Sequence, residues 1–350
     1  MTDNMTRRTA LKTAALLGAA VAQTISAAHA APAVPSPAAS TKPAGENWYK
    51  STLVTGQTVR FRNIYGMELT GSLFTPKNGT GKRAGIVMSH PFGAVRQQGA
   101  LLYAQKLAEA GFVTLAFDQS FWGESAGEPR GSVLPDVYAE NFSAAVDFLG
   151  QRADVDRNRI GALGLCASGG FALAAAKTDA RIRAVATVSM YDMGEYFRTG
   201  VQGDRPRSRV AADLERIAKL RWEGVDAGKP VYGAGQNDPS FSESVENNDY
   251  YRTTRGNFPT NDRRTTPASY VRFMNFYPLL NLDIISPRPI LFVAGEDAPS
   301  RCYTDEAFKN AAEPKERVVV AGANRTDLYD RAGMIPWDKL TDFFTKNLAA

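Results

Sequence analysis

The heptapeptide Gly164-Leu165-Cys166-Ala167-Ser168-Gly169-Gly170 holds the residues best suited to chemistry in this chain. A strand that turns abruptly into a helix can present a nucleophile at the turn, provided that small residues stand two before and two after it. With Cys166 as nucleophile those positions hold Gly164 and Ser168. With Ser168 as nucleophile they hold Cys166 and Gly170, which is also sterically possible. The strand-like run 160–165 must stop just before the nucleophile, and this favours Cys166. A buried cysteine at a glycine-rich turn is the plainer alternative, since free cysteines are usually buried.

Few other groups are available to assist it. The 350 residues include two histidines, His29 and His90, and two cysteines, Cys166 and Cys302. That inventory cannot build a multi-disulfide scaffold or a His/Cys zinc site, and no metal or cofactor is expected. An imidazole base must be one of two residues. With 44% hydrophobic and 22% charged residues the chain is neither disordered nor a polytopic membrane protein. The net charge of +5 is spread without a basic run, so nothing supports nucleic-acid binding. The expected partner is a small-molecule substrate, and the oligomeric state is left open.

Near the start, Thr6-Arg7-Arg8-Thr9-Ala10-Leu11-Lys12 precedes an Ala-rich apolar run ending in Ala28-His29-Ala30. These features resemble a twin-arginine export signal over residues 1–30, cut after Ala30. The alternative is a membrane anchor, but Gln23, Thr24 and Ser26 interrupt the run. Cleavage implies a periplasmic or secreted protein with no integral span, and it removes His29. Because such signals export folded proteins, the fold should not depend on a disulfide. Residues 31–47, rich in Ala, Pro and Ser, read as a flexible linker.

The elements that must position the turn follow over 48–350. Residues 59–65 and 69–75 read as an antiparallel pair, and 86–89, 113–117, 160–165, 185–189, 290–293 and 317–320 as further strands. Helices are expected around 97–109, 136–149, 167–177 and 335–347. This alternation predicts an α/β fold with a mostly parallel sheet and helices on both faces. The rhythm breaks at about 191–288, a polar and aromatic stretch with a helix near 210–223. It reads as a cap over the carboxyl ends of the strands, where such folds place their sites. Arg252, Arg255, Arg263, Arg264 and Arg272 make it basic, either as a solvated face or to draw in an anionic substrate.

Ser89-His90-Pro91-Phe92-Gly93, then Asp118 with Gly123-Glu124-Ser125, then the Cys166 turn, resemble in their order an α/β-hydrolase. The cysteine, Arg159-Ile160-Gly161-Ala162-Leu163-Gly164 and Ala312-Glu313-Pro314-Lys315-Glu316 resemble the dienelactone-hydrolase-like branch, near bacterial Xaa-Pro-dipeptidyl-peptidase-like hydrolases. The resemblance covers nearly everything from Trp48 to Leu348. It implies an oxyanion hole formed by the backbone N–H groups of Ala167 and Phe92. It also implies a catalytic acid within Gly295-Glu296-Asp297, with Asp297 preferred over Glu296 and Asp192 in reserve; solvated loop carboxylates are the bland alternative. Asp118 and Ser125 are expected to fix their loop.

The branch places its histidine in a Gly-Ala-x-His-x-Asp-Leu-Tyr-Asp stretch. This chain reads Gly322-Ala323-Asn324-Arg325-Thr326-Asp327-Leu328-Tyr329-Asp330, with Arg325 in the histidine's place. An arginine stays protonated and cannot act as a base. Losing a positioned base costs about 10²–10⁴-fold in ordinary ester hydrolysis. Three readings stay open. Cys166 acts as a thiolate stabilised by Arg325 and the helix N-terminus, on thioesters, activated esters or lactones. Or His90 has become the base. Or Arg325 binds a carboxylate in a binder or a non-hydrolytic catalyst. Cys302 is expected on a loop facing the site, where a disulfide with Cys166 would block the nucleophile. The preferred expectation is an exported Cys166-centred hydrolase of small ester, lactone or thioester substrates. A catalytically silent ligand-binding protein and a lyase or isomerase are the rivals.

Overall fold

The computed structural model describes residues 42–236 and 244–350; the expected signal peptide and most of the linker lie outside the described residues. Eight strands form one sheet: β1 (Val54–Arg62), β2 (Glu68–Pro76), β3 (Arg83–Ser89), β4 (Val113–Phe117), β5 (Val155–Leu165), β6 (Ile182–Val188), β7 (Ile290–Gly295) and β8 (Lys315–Val320). Their spatial order is β1-β2-β4-β3-β5-β6-β7-β8. β2 runs antiparallel to β1 and β4, and every pairing from β4 to β8 is parallel.

Both faces of the sheet are covered, so its central strands are buried over 84–89, 113–117, 160–165 and 184–188. Alternate residues face opposite layers. Ile86, Met88, Leu163, Leu165, Leu291 and Val293 pack against α1 (Ala100–Glu109) and α10 (Trp337–Asn347). Val87, Ala162, Val185, Ile290 and Phe292 belong to the other core, with α2 (Pro135–Gly150), α3 (Ala167–Thr178) and α8 (Arg301–Asn310). This is the expected architecture: β4 keeps its expected bounds, β1 lies several residues earlier than expected, at 54–62 instead of 59–65, and most of the other strands begin earlier or run longer than expected.

The stretch between β6 and β7 carries α4 (Met193–Thr199), α5 (Arg207–Asp226), α6 (Val245–Tyr251), α7 (Pro267–Tyr270) and two 3-10 turns, Val271–Asn275 and Leu282–Ile285. The helix expected near 210–223 lies inside α5. Aromatic side chains tie the insertion down: Phe273 and Phe276 meet Phe171 of α3, and Tyr250 and Tyr251 meet Tyr329. Among the described residues no helix is long and apolar enough to cross a membrane.

Two expectations need correction. Cys302 lies in the first turn of α8 rather than on a loop, its thiol 3.5 Å from the Pro299 carbonyl, and both cysteines are free. The end of the expected linker is not a tether, because residues 42–47 dock on the domain. Glu46 N–H donates to the Asp330 carbonyl at 2.7 Å, and the buried Asn47 side chain accepts from Gly99 N–H and from the Tyr250 hydroxyl, each at 2.7 Å. Polar partners for that backbone and side chain outweigh its loop-like composition.

Candidate active site

Cys166 stands alone between β5 and α3, with φ 54° and ψ −123°. Few non-glycine residues take a positive φ, and those that do cluster where the surroundings force it. Here Cys166 N–H donates to the Val188 carbonyl at 2.9 Å, while its own carbonyl accepts from Gly169 and Tyr191 N–H at 2.9 and 3.0 Å. A Cβ on Gly164 would fall 2.1 Å from the Ser168 carbonyl oxygen, so only glycine fits two residues before the turn. The Cys166 side chain, 5% exposed, forms part of the wall of a cleft of about 750 Å³. Phe92, Tyr191, Tyr196, Tyr251 and Tyr270 give that cleft an aromatic lining.

The backbone N–H groups of Ala167 and Phe92 have no protein acceptor among the described residues. Ala167 begins α3, whose first N–H groups are left free by helix geometry and carry the positive end of its dipole. Ser168 does not compete for the cleft. Its fully buried hydroxyl donates to the His90 carbonyl at 2.5 Å and thereby ties the loop of Phe92 to α3.

His90 does not serve the thiol. Its ring is 2% exposed, with Nδ1 2.8 Å from the Pro91 carbonyl and Nε2 accepting the Gln119 N–H at 3.1 Å. That pattern fixes the neutral tautomer protonated on Nδ1, and burial pushes the pKa below the ordinary 6.5 despite nearby Asp118. The reading of His90 as base therefore fails, since both nitrogens are spent within its own loop. Asp118 and Ser125 hold that region as expected. Asp118 pairs with the buried Arg96, and Ser125 Oγ donates to the Asp118 carbonyl at 2.7 Å.

Arg325 reaches the thiol. Its Nη1 lies 3.6 Å from Cys166 Sγ and donates to the Tyr329 hydroxyl at 3.2 Å. Nε donates to Glu246 Oε1 at 2.9 Å, and Nη2 lies 2.8 Å from the same oxygen and donates to Asn247 Oδ1 at 2.5 Å. Burial alone would lower the guanidinium's pKa, but Tyr329, Cys166 and Glu246 more than offset it. Every nitrogen of the side chain has a protein partner, which weighs against Arg325 as a free carboxylate receptor. Burial raises the pKa of Tyr329, with Cys166 nearby acting in the same direction, so the phenol keeps its proton.

The expected acids stand elsewhere. Asp297 is exposed, and its backbone N–H, not its carboxylate, bonds the Ala323 carbonyl. Glu296 accepts Gly322 N–H at 3.1 Å. Asp192 caps α4 by accepting Glu195 N–H at 2.8 Å, and burial pushes its pKa up to about 6. None contacts Arg325. The carboxylate beside residue 325 is Glu246, in the first turn of α6. A guanidinium is longer than an imidazole and forks away from the thiol, so its acidic partner comes from the insertion instead of the β7 loop. Sequence reasoning missed Glu246, because an acidic residue in a helix's first turn is ordinary dipole compensation. It also left Tyr329 without a role, although it stands in the stretch around Arg325.

The backbone around Arg325 is braced independently of its side chain. Ser189 Oγ donates to the Arg325 carbonyl at 3.0 Å, and Thr326 Oγ1 donates to the Glu246 carbonyl at 3.0 Å. Buried Asp327 pairs with Arg331 at 2.8 Å and Lys42 at 2.6 Å, and buried Asp330 pairs with Arg255 at 2.6 Å. Arg255 is thus structural and not a substrate anchor, whereas Arg263 lines the cleft.

Strand order, the strained turn at Cys166 and the cleft over the carboxyl ends of the strands define an α/β-hydrolase. The sequence model of the PET hydrolase-like family matches residues 26–272, and the chain belongs to that family. The uncharacterized protein PA2218 of Pseudomonas aeruginosa is 43% identical over 305 residues, spanning 85% of this chain and 82% of its own. Its crystal structure superposes with a TM-score of 0.83 at 41% identity, over 86% of this chain and 96% of the other. The thiohydrolase aneE of Aspergillus aculeatus is 28% identical over 72% of this chain and 80% of its own. The α/β hydrolase GrgF from Penicillium sp. sh18 shares the fold, with a TM-score of 0.71 and 23% identity over 85% of this chain and all of the other.

Proposed function

We propose that this protein is an exported enzyme that takes acyl groups from small thioesters, activated esters or lactones onto Cys166, in the manner of a dienelactone-hydrolase-like enzyme with Arg325 in place of the triad histidine. The observation that carries this reading is the Arg325 guanidinium 3.6 Å from the sulfur of a strained, cleft-facing Cys166. A thiolate has no proton to lose, so a cysteine works where a serine would need a base. Arg325 and the N-terminus of α3 favour the anion. As the thiolate attacks the carbonyl carbon, negative charge builds on the oxygen, where the N–H groups of Ala167 and Phe92 receive it. The leaving group departs as an anion, which suits thiolates and acidic enols and disfavours amines. The thiohydrolase relative supports a thioester in particular. The Arg7-Arg8 signal supports export to the periplasm.

Intact-mass analysis after mixing with p-nitrophenyl acetate or an acetyl thioester tests this reading. The expected result is rapid acetylation of Cys166 that disappears in Cys166→Ala. No adduct at Cys166 across a broad panel of esters and thioesters would overturn it. A catalytically silent binder predicts that second outcome.

A further inference from the structure

The side chain that reaches the Cys166 sulfur and the phenol hydrogen-bonded to it are both donors in their working state. Arg325 carries its proton permanently, and the buried Tyr329 phenol keeps its own. Two carboxylates line the cleft among the described residues, and each is occupied. Glu246 is bound to Arg325, and Asp204 accepts the Val201 N–H at 2.9 Å. His90 has spent both nitrogens. Among the described residues the site is thus built to stabilise anions and to give hydrogen bonds, and none of them places at the sulfur the base that water or an alcohol would need.

We propose that the acyl group on Cys166 is passed to a second thiol, making the protein a thioester-exchange catalyst rather than an efficient thioester hydrolase. The proposal rests on the reading of Cys166 as the acylated nucleophile. In the first half-reaction the Cys166 thiolate forms the new C–S bond, the substrate's C–S bond breaks, and the donor leaves as a thiolate carrying the electron pair. In the second, an acceptor thiolate attacks the acyl-cysteine carbonyl, forms its own C–S bond and returns Cys166 to the thiolate. No proton is moved at the protein in either direction, and no oxidant or reductant is involved. A free thiol with a pKa of about 8.5 supplies a few per cent thiolate at neutral pH unaided, whereas water and alcohols supply essentially none. By microscopic reversibility the acceptor enters where the donor thiolate left, and the oxyanion its attack creates is received by the same N–H groups of Ala167 and Phe92. The cleft of about 750 Å³ has room for an acyl group and a small thiol together.

The test uses the full-length enzyme acetylated on Cys166, freed of excess reagent and followed by intact mass. Discharge is compared in buffer, with N-acetylcysteamine, and with N-acetylethanolamine, which replaces the sulfur by oxygen. An acetylated peptide covering residues 164–170 reports the uncatalysed exchange. The expected result is discharge by the thiol roughly 10²-fold faster than in buffer or with the alcohol, the low end of what a positioned base supplies. Discharge by thiol must also be saturable and faster than from the peptide. Equal rates in buffer and thiol, equal rates with alcohol and thiol, or a rate no greater than the peptide's would overturn the exchange proposal while leaving acylation of Cys166 intact. Failure of Cys166 to acylate at all would overturn the underlying reading and this one with it.

Discussion

The role given to Arg325 can be measured on the thiol without knowing the substrate. Removing Arg325 alone would leave Glu246 as an uncompensated, largely buried charge, the side chains being 9% and 13% exposed. Breaking such a pair costs about 3–5 kcal/mol in stability and would confuse loss of reactivity with loss of fold. The useful perturbation is therefore Arg325→Met with Glu246→Gln, in a Cys302→Ser background that leaves one thiol. Both charges of a neutral pair vanish together, so the net charge near Cys166 is unchanged while the donor at 3.6 Å is lost. A hydrogen bond to a charged group is worth about 1.5–3 kcal/mol, which converts to roughly 10–150-fold in thiolate population. Alkylation by iodoacetamide at neutral pH reads that population directly. The doubly substituted protein should react more slowly by one to two orders of magnitude and converge with the parent at high pH. Equal or faster alkylation at neutral pH, in a protein with an unchanged unfolding midpoint, would refute Arg325 as the support of the thiolate.

Introducing by Arg325→His the imidazole that the dienelactone-hydrolase resemblance leads one to expect should raise turnover of simple esters, and Glu246→Ala in that background should remove the gain; dependence on Asp297 instead would contradict the assignment of Glu246. Asp192, whose folded pKa is about 6 against about 3.9 unfolded, binds more protons in the native state between those values. Its contribution to stability is complete below the unfolded value and lost as pH rises through 6. Asp192→Asn, which keeps the acceptor for Glu195 N–H, should flatten that slope and stabilise the protein at neutral pH by up to about 3 kcal/mol in urea titrations. Gly164→Ala should cost at least about 3 kcal/mol, beyond the usual overpacking range, because its methyl meets backbone; an unchanged midpoint would show that the turn can relax. Arg7→Lys with Arg8→Lys should hold the full-length chain in the cytoplasm, and undiminished periplasmic protein would count against twin-arginine export.

The middle of the sheet was legible because its central strands are buried on both faces. β4, Val113–Phe117, coincides with its expected bounds, and β5 ends at Leu165 where the nucleophile turn required. α8 and the short helix α9 (Asp327–Asp330) were not foreseen, because one carries charges through most of its turns and the other is four residues long. At the site, Cys166 and Arg325 were both singled out, and their meeting follows from positions after β5 and β8. Glu246 was out of reach for a different reason. It lies 79 residues from Arg325, inside an insertion whose course no periodicity specifies. The expectation of Asp297 failed through chemistry rather than topology. It presumed an imidazole's reach, and the wider guanidinium takes its carboxylate from the other side of the cleft.

The docked segment 42–47 gives the start of the folded chain a practical weight. Lys42 pairs with the Asp327 carboxylate and Glu46 N–H holds the Asp330 main-chain carbonyl, both in the stretch that follows Arg325, and a Cβ on Gly45 would fall 2.0 Å from the Asp330 carboxylate. A protease or an expression vector that trims the chain to Trp48 would spare every strand. It would nonetheless remove the Lys42 and Glu46 contacts from the segment that carries the guanidinium, leaving its bonds to Ser189, Arg255 and Arg331, and a slower thiol is the expected consequence. A working enzyme should therefore keep the chain from Lys42 at least, six residues before the first residue that reads as folded.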